Sequence, residues 1–276
     1  MRRAPLAIGL AALALTASPA AAVGSVTIGQ LAPGTIVSCS KNFDFLQDSS
    51  PDNAYVMPAA GVITSWAHRS QAGAGQKVSL KIFRKIGDPT RYQLVGHDGP
   101  HPVVAGTDTT FPASIAVNAG DVLGLTGESG SASIGFEFNG PGETASHTPS
   151  LADGGFADFN ISTTHRLNLT AVLNPANTFT LGSITRHKKK GTASLAVNLP
   201  NPGELTASGA GASASGAAVI SKVVSAGATS LLIKAKGKKR KTLNATGKVK
   251  LNLTITYSPT GGDPSSQSVK VKLKKK

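Results

Sequence analysis

The chain has 276 residues, a single cysteine and a formal net charge of +14. One cysteine excludes an internal disulfide, so an apolar core must hold the fold together. No segment reaches the roughly 20 consecutive apolar residues that a membrane-spanning helix needs.

Residues 1–22 have the features of a secretory signal peptide in the right order. Two arginines precede an apolar run from Leu6 to Leu15, and the small residues 18–22 follow as a cleavage signature. The alternative is a buried apolar helix. We predict export with Val23 as the first mature residue, and hence a secreted protein that is soluble or attached to the cell surface.

Charge divides the remaining chain into two unlike halves. Residues 23–173 hold 8 basic and 12 acidic residues, whereas residues 174–276 hold 18 basic residues and only two acidic ones, Glu204 and Asp263. The strand-like pattern also stops at the segment 173–179, LNPANTF. We therefore predict a domain boundary there and different partners for the two halves.

The acidic half, residues 23–173, alternates apolar and polar residues instead of repeating them at helical spacing. Such alternation is typical of strands with one buried and one solvated face. About nine strands predict a jelly-roll-like β-sandwich, with the segments 42–53 and 139–158 as loops. The predicted strands are SVTIGQL, NAYVMPA, GVITSWAH, KVSLKIFRKI, RYQLVGH, ASIAV, DVLGLTG, SIGFEFN and RLNLTAVL.

Aromatic residues concentrate in this half and indicate binding. Phe83 alternates with Lys81 and Lys85, which predicts a solvated ring that could stack on a sugar. The alternative for Phe83 is a scattered surface hydrophobe without a role. Trp66 is predicted to lie in the core, and Cys39 to be a small buried hydrophobe.

The two predicted loops are rich in carboxylates. Glu143, Asp153 and Asp158 in the segment 139–158 are candidate ligand-binding residues. Oxygen-rich loops can wrap Ca²⁺, but the spacing differs from that of an EF-hand, so no metal or cofactor is predicted and calcium is the weaker alternative. A glycoside hydrolase would need two carboxylates about 5–10 Å apart. Common hydrolase, kinase and metalloprotease motifs are absent, so we do not predict an enzyme. The carboxylates of the segment 42–53 are Asp44, Asp48 and Asp52.

The basic half, residues 174–276, predicts a smaller sandwich. Seven short strands in about 100 residues are typical of an immunoglobulin-like or fibronectin-like fold. The segment 210–218, GAGASASGA, is predicted as a loop. The strands are predicted to start near Phe179, Thr192, Gly203, Ala217, Ala228, Lys248 and Ser266.

Lysine clusters are the main candidate binding residues of the basic half. KAKGKKRKT lies between two predicted strands, which predicts a hairpin loop and not a basic helix. If the last two strands share a sheet, Lys248, Lys250, Lys270 and Lys272 form one basic surface. The clusters are Lys188, Lys189 and Lys190; Lys238, Lys239, Arg240 and Lys241; and the terminal KLKKK.

The composition of these clusters favours diffuse attraction to a polyanion. Sixteen of the 18 basic residues are lysine, and the half contains only two aromatic residues. Nucleic-acid readout prefers arginine and base-stacking rings, so nucleic acid is disfavoured. We predict attachment to an anionic cell-wall polymer or membrane surface. The alternative is a lysine coat that only keeps the protein soluble.

GVITSWAHRSQAGAGQKVSLKIFR, YQLVGH and IAVNAGDVLGL resemble a domain of secreted, uncharacterised proteins of high-GC Gram-positive bacteria. TFTLGSITRHKKKGTASLAVNLPNPGELTASG resembles the lysine-rich β-sandwich that often follows it. The resemblance covers nearly the whole mature chain. It implies a location and a fold but no catalytic residue.

Together these features predict a secreted, two-domain, all-β protein that is not an enzyme. The acidic domain would bind carbohydrate, and the basic domain would attach to an anionic surface. Two alternatives stay open: a glycoside hydrolase acting on the wall with carboxylates of the segment 139–158, and a structural secreted protein without a specific ligand.

Overall fold

A computed structural model shows an all-β protein, which confirms that part of the predicted fold. The structure describes residues 24–31, 36–38, 41–70, 75–87, 90–129, 135–138, 144–163, 165–215 and 227–276.

The first 14 described strands and one 3-10 helix lie between residues 26 and 175. They are β1 (Val26–Gln30), β2 (Ile36–Ser38), β3 (Phe43–Ser49), the 3-10 helix Pro51–Asn53, β4 (Gly61–Arg69), β5 (Lys77–Lys85), β6 (Arg91–Pro102), β7 (Asp108–Val117), β8 (Val122–Ser129), β9 (Gly135–Phe138), β10 (Thr144–Pro149), β11 (Phe156–Asp158), β12 (Asn160–Thr163), β13 (His165–Leu167) and β14 (Leu169–Pro175).

Seven further described strands and one α-helix follow. They are β15 (Thr180–His187), β16 (Thr192–Leu199), β17 (Gly203–Ser208), β18 (Ala212–Ser215), β19 (Gly227–Ala235), α1 (Gly237–Thr246), β20 (Lys248–Pro259) and β21 (Ser265–Lys274).

The acidic half is built on two large sheets that share one core. One sheet has the order β1-β14-β4-β7 and the other β11-β6-β5-β8-β3-β10-β12, while β13-β9-β2 form a third, small sheet. The core between the large sheets includes Ile63 and Trp66 of β4 with Leu80 of β5 and Leu125 of β8. Trp66 is buried, as predicted from its alternation.

A second apolar cluster covers the other face of the seven-stranded sheet. Phe83 lies in it with a relative exposure of 0%, so the prediction that its ring is solvated is wrong. The Phe159 ring packs edge-on against Phe83, with centroids 5.2 Å apart, and against Tyr92 at 5.7 Å. Both faces of β5 are therefore buried, although its sequence alternates.

Phe159 also joins the two edges of this sheet. The edge strands β11 and β12 are separated in the chain by Phe159 alone. Consecutive Cα atoms lie 3.8 Å apart, so these edges approach within about 8 Å of each other. The sheet therefore curls around its second apolar cluster.

Two predicted loops contain strands. The segment 42–53 includes β3, which lies inside the seven-stranded sheet. Asp44 of this strand is buried and accepts hydrogen bonds from the Thr126 hydroxyl, from Ser150 Oγ at 3.1 Å and from the Leu151 backbone N–H at 2.9 Å. The segment 139–158 includes β10 and β11. Polar side chains such as Asp44 are buried and hydrogen-bonded in these strands. The sequence therefore does not show the alternation of apolar and polar residues that is typical of a strand.

The basic half has its own core between two antiparallel sheets. Their orders are β15-β16-β19-β18 and β17-β20-β21. β20 pairs with β21 so that Lys250 faces Lys272, which confirms the predicted shared sheet. The predicted start near Ala217 lies outside the described residues, and β18 occupies part of the segment 210–218 that was predicted as a loop.

The segment KAKGKKRKT ends strand β19 at Ala235 and enters a helix at Gly237, so the predicted hairpin loop is wrong. Gly237 opens α1, and Gly247 closes it in the left-handed conformation at φ 67°. Lysine, arginine, leucine and alanine are good helix formers. Only Leu243 of α1 is buried, so the sequence carries no apolar repeat that would reveal a helix.

The two halves meet through a buried asparagine. Asn201 is 3% exposed, and its Oδ1 accepts a hydrogen bond of 2.7 Å from the Ala60 backbone N–H. Its Nδ2 donates to the carbonyl oxygens of Ala60 and Ala176 at 2.8 and 2.9 Å. Asp263 makes a second link, since its Oδ1 accepts from the Gly24 N–H at 2.6 Å.

Candidate functional site

The three lysine clusters of the sequence converge at the end of the basic half that is remote from Asn201. The backbone N–H of Lys276 donates to the Lys188 carbonyl at 3.2 Å, which joins the end of the chain to the β15–β16 turn. The N–H of Lys275 donates to the Gly247 carbonyl at 2.8 Å, which joins the end of the chain to α1. We call this region the basic end. It comprises His187 to Lys190, Lys234, Lys236, α1 and Lys272 to Lys276.

Two adjoining clefts lie in the basic end. The first has a volume of about 500 Å³ and is lined by His187, Lys188, Lys189, Lys190, Thr192, Leu232 and Lys234. The second, of about 430 Å³, adds Lys236, Arg240, Leu243, Asn244 and Lys275. Lys190, Thr192 and Lys234 line both clefts, which makes them one track. The predicted residues Lys188 to Lys190 and Arg240 are thus brought together.

Leu243 and two glycines position α1 in the basic end. Gly191 has φ 65°, and a Cβ atom there would lie 3.1 Å from Leu243 Cδ2. Gly211 has φ 76°, and a Cβ atom there would lie 2.3 Å from Lys239 Cγ. Since glycine alone readily adopts this conformation without a side chain in the way, both turns let the helix pack closely. Leu243 then faces the core, and the basic side chains face solvent.

Carboxylates are remote from the basic end. Glu204 pairs with Ser258, ten residues along β20 from Lys248, which is roughly 34 Å at about 3.4 Å per residue. Asp263 binds Gly24 at the joint with the acidic half. Among the described residues, every ion pair joins two residues of the acidic half, within the sequence range 69–158. None involves a lysine of the basic half. Among the described residues, no acidic side chain therefore neutralises the basic end.

The mutual repulsion of these charges is visible at Lys274. The nearby ammonium group of Lys272 lowers the pKa of Lys274, and partial desolvation and the charges of Lys188, Arg186 and Lys248 act in the same direction. A group whose neighbours disfavour its own charge gains when a bound anion offsets them. The basic end therefore has an electrostatic reason to bind anions.

The helix adds to this potential. Lys238, Lys239 and Arg240 lie in the first turn of α1, beside the positive end of the helix dipole, and this turn contains no acidic residue. Cations near a helix N-terminus are unfavourable, each by a few tenths to about 1 kcal/mol. The arrangement lowers the stability of the isolated helix and raises the positive potential outside it.

Sequence reasoning missed part of this site. Lys234 and Lys236 line the second cleft, although neither belongs to the three predicted clusters. Lys234 and Lys236 flank the buried Ala235, so strand alternation alone would have placed both side chains in solvent. Their convergence with Lys190 depends on the pairing of β16 with β19, which is a long-range feature.

The structure places two of the predicted acidic residues at one sheet edge. Asp153 Oδ1 lies 2.8 Å from His97 Nδ1, and Asp158 Oδ2 lies 3.8 Å from an Arg91 nitrogen. Both carboxylates are exposed at the edge where β11 pairs with β6. Phe83 is buried elsewhere, under Phe159. Glu143 and Cys39 lie outside the described residues.

Among the described residues, no group of three or more histidine, cysteine, aspartate or glutamate side chains could hold a metal ion. The described helices are too short or too polar to cross a bilayer. No family model, curated protein or solved structure matches the chain.

Proposed function

We propose that this is an exported, non-enzymatic protein that attaches through its basic end to an anionic cell-wall polymer. The convergence of three lysine clusters far from any described carboxylate carries the proposal. A charged surface that served only solubility would not need its charges gathered in two connected clefts. The clefts offer a track in which an extended polyanion can lie.

A polymer fits the basic end better than a bilayer does. Proteins that lie on a membrane usually combine basic residues with exposed apolar side chains that enter the acyl region. The exposed large apolar side chains of the described residues are Val62, Ile86, Val104, Phe156 and Ile161, all in the acidic half. The basic end therefore offers charge without an inserting apolar face.

Lysine chemistry predicts the form of the binding. An ammonium group is a solvated point charge, so it attracts a polyanion without fixing its geometry. The Debye length falls from about 10 Å at 0.1 M salt to about 3 Å at 1 M. Binding should therefore be strong at low salt and nearly absent at 1 M.

Co-sedimentation of the full chain with anionic wall fragments, from about 0.05 M to about 1 M salt, tests the proposal. Gln replacements at Lys190, Lys234, Arg240 and Lys275, which line the clefts, should weaken binding at least tenfold, because each cation near an anionic surface contributes about 1 kcal/mol. The matched control replaces four exposed lysines outside the basic end, Lys41, Lys77, Lys250 and Lys270, by Gln, which removes equal charge.

The control variant should keep most of its binding. Salt-independent sedimentation would overturn the proposal, and equal loss in both variants would overturn the assignment to the clefts. Anionic vesicles form a second arm of the experiment. Binding to vesicles but not to wall fragments would make the partner a membrane.

We also propose a two-domain architecture for the chain and a relation to the secreted proteins that its sequence resembles. Residues 23–173 would form a jelly-roll-like domain and residues 174–276 an immunoglobulin-like domain, as in the secreted proteins that the sequence resembles. Support comes from the apolar cluster that runs from Phe179 to Leu273 without a member from the acidic half. Limited proteolysis between residues 173 and 179 should release two folded pieces if this division is right.

A further inference from the structure

One aromatic ring of the acidic half is exposed to solvent. Phe156 is 54% exposed, and it is the single aromatic residue among the exposed large apolar side chains of the described residues. The Arg91 guanidinium covers one face of its ring, with Cζ 4.8 Å from the ring centroid. The exposed area therefore belongs to the opposite face and to the ring edge.

Strand alternation groups polar side chains around this ring. In the β6–β11 pair, Phe156 faces Gln93 and Asp158 faces Arg91. Tyr92 lies between Arg91 and Gln93 on β6, and Leu94 follows Gln93. Both Tyr92 and Leu94 are buried in the second apolar cluster. Because successive side chains of a strand point to opposite faces, the other four share the outward face. We call Arg91, Gln93, Phe156 and Asp158 the Phe156 face.

The polar members of this face are held in place. Gln93 Nε2 donates a hydrogen bond of 3.0 Å to the Gly154 carbonyl, and Arg91 lies 3.8 Å from the Asp158 carboxylate. The neighbouring Asp153 carboxylate is fixed by His97 at 2.8 Å. A ring that already packs against Arg91 and an amide that is already hydrogen-bonded lose less conformational entropy on binding a ligand than side chains without such contacts.

We propose that the Phe156 face binds a neutral glycan. The face of an aromatic ring carries partial negative charge, which attracts the polarised C–H groups on one side of a pyranose ring. The guanidinium, amide and carboxylate groups around it supply donors and acceptors for hydroxyl groups. The charges of Arg91 and Asp158 offset each other, so this face has no cationic excess that would select an anionic polymer.

This inference is independent of the basic end and can fail separately from it. The test uses the full chain in 1 M salt, where a Debye length of about 3 Å suppresses ionic attachment. The probes are neutral hexasaccharides of glucose, mannose, galactose and N-acetylglucosamine, titrated while the Gln93 side-chain amide and the Phe156 backbone amide are followed by NMR.

At least one hexasaccharide should shift both resonances. The change Phe156→Ala should weaken its binding by about tenfold, the loss of one stacking contact of about 1.4 kcal/mol, and Phe156→Tyr should retain it. The matched control is Val104→Ala, which removes an apolar side chain of 63% exposure beyond the Pro102 end of β6, far from the Phe156 face.

Three outcomes would overturn the inference: no hexasaccharide binds, binding is unchanged in Phe156→Ala, or Val104→Ala loses as much. Salt-dependent sedimentation with anionic wall fragments would persist in each case, because it depends on the basic end.

Discussion

Asp48 is a residue whose ionisation opposes folding. Burial raises its pKa to about 6, against the favourable effects of the Ser146 hydroxyl and of Lys85. Its Oδ1 atom is buried and has no hydrogen-bond partner among the described residues, while Oδ2 accepts from Ser146 Oγ. The pKa of Tyr92 is raised to about 12. Burial has the larger effect, and the charge of Asp48 acts in the same direction. The site therefore favours a neutral side chain.

The change Asp48→Asn should stabilise the protein at pH 8 and have little effect at pH 4. A carboxyl whose pKa is higher in the folded state contributes stability that is present below about pH 4 and lost as pH rises through about 6. A shift of about two units would correspond to about 3 kcal/mol, which solvent screening of the partly exposed group reduces to about 1–2. Urea unfolding at the two pH values measures the difference.

Phe83 and Phe156 show how far the exposure of a single side chain can be predicted from the sequence. Phe83 alternates with Lys81 and Lys85, whereas Phe156 stands between Gly155 and Ala157, yet Phe83 is 0% exposed and Phe156 is the exposed ring. The reason is Phe159, which folds over Phe83 from a segment about 75 residues later in the chain. Alternation identifies the two faces of a strand, but it does not show whether a second layer covers the outer face.

At the scale of elements, a strand was predicted correctly or missed according to whether one of its faces meets solvent. The predicted starts of β20 and β21, near Lys248 and Ser266, agree with the structure to within one residue, because one face is buried and the other carries lysine. β3 was missed, because four consecutive residues are buried and one of them is Asp44. Periodicity is a reliable signal where one face meets water, and it disappears where both faces are covered.

The helix α1 was missed for a related reason. Its stability depends on one buried leucine and two glycine turns, none of which gives a periodic signal. Its first turn is basic where acidic residues would be favourable, so its sequence is poorly suited to an isolated helix. The lysine clusters themselves were found from the sequence, whereas their convergence into clefts required the pairing of distant strands.

We expect Lys238→Glu to stabilise the protein by about 0.5–1 kcal/mol, because it replaces a cation with an anion at the positive end of α1. The same change should weaken attachment to anionic wall fragments. Urea unfolding and co-sedimentation measure the two effects. The matched control is Lys241→Glu, which makes an equal charge change one turn later, where the dipole effect is smaller. If both variants gain equal stability, relief of general repulsion explains the effect and the helix dipole does not.

At the scale of the whole molecule, the acidic and basic charges lie in separate halves, and hydrogen bonds of Asn201 join the two halves. The acidic half carries the Phe156 face, and the basic half carries the lysine clefts at its far end. Between them, Asn201 links Ala60 to Ala176 and also accepts a hydrogen bond of 2.7 Å from the Tyr257 hydroxyl through its carbonyl. A joint of this kind would set the distance between the two proposed binding sites, which determines whether one surface can engage both at once.

The change Asn201→Ala should loosen this joint without unfolding either core. It removes three hydrogen bonds and leaves the backbone groups of Ala60 and Ala176 without their partner, which costs on the order of 2–3 kcal/mol at a buried site. We expect faster proteolysis between residues 173 and 179 and a larger radius of gyration in solution scattering. The matched control is Asn198→Ala, an exposed asparagine on β16, which should change neither measurement. Unfolding of the whole chain in a single transition, with no increase in cleavage at the joint, would show instead that the two cores fold as one unit.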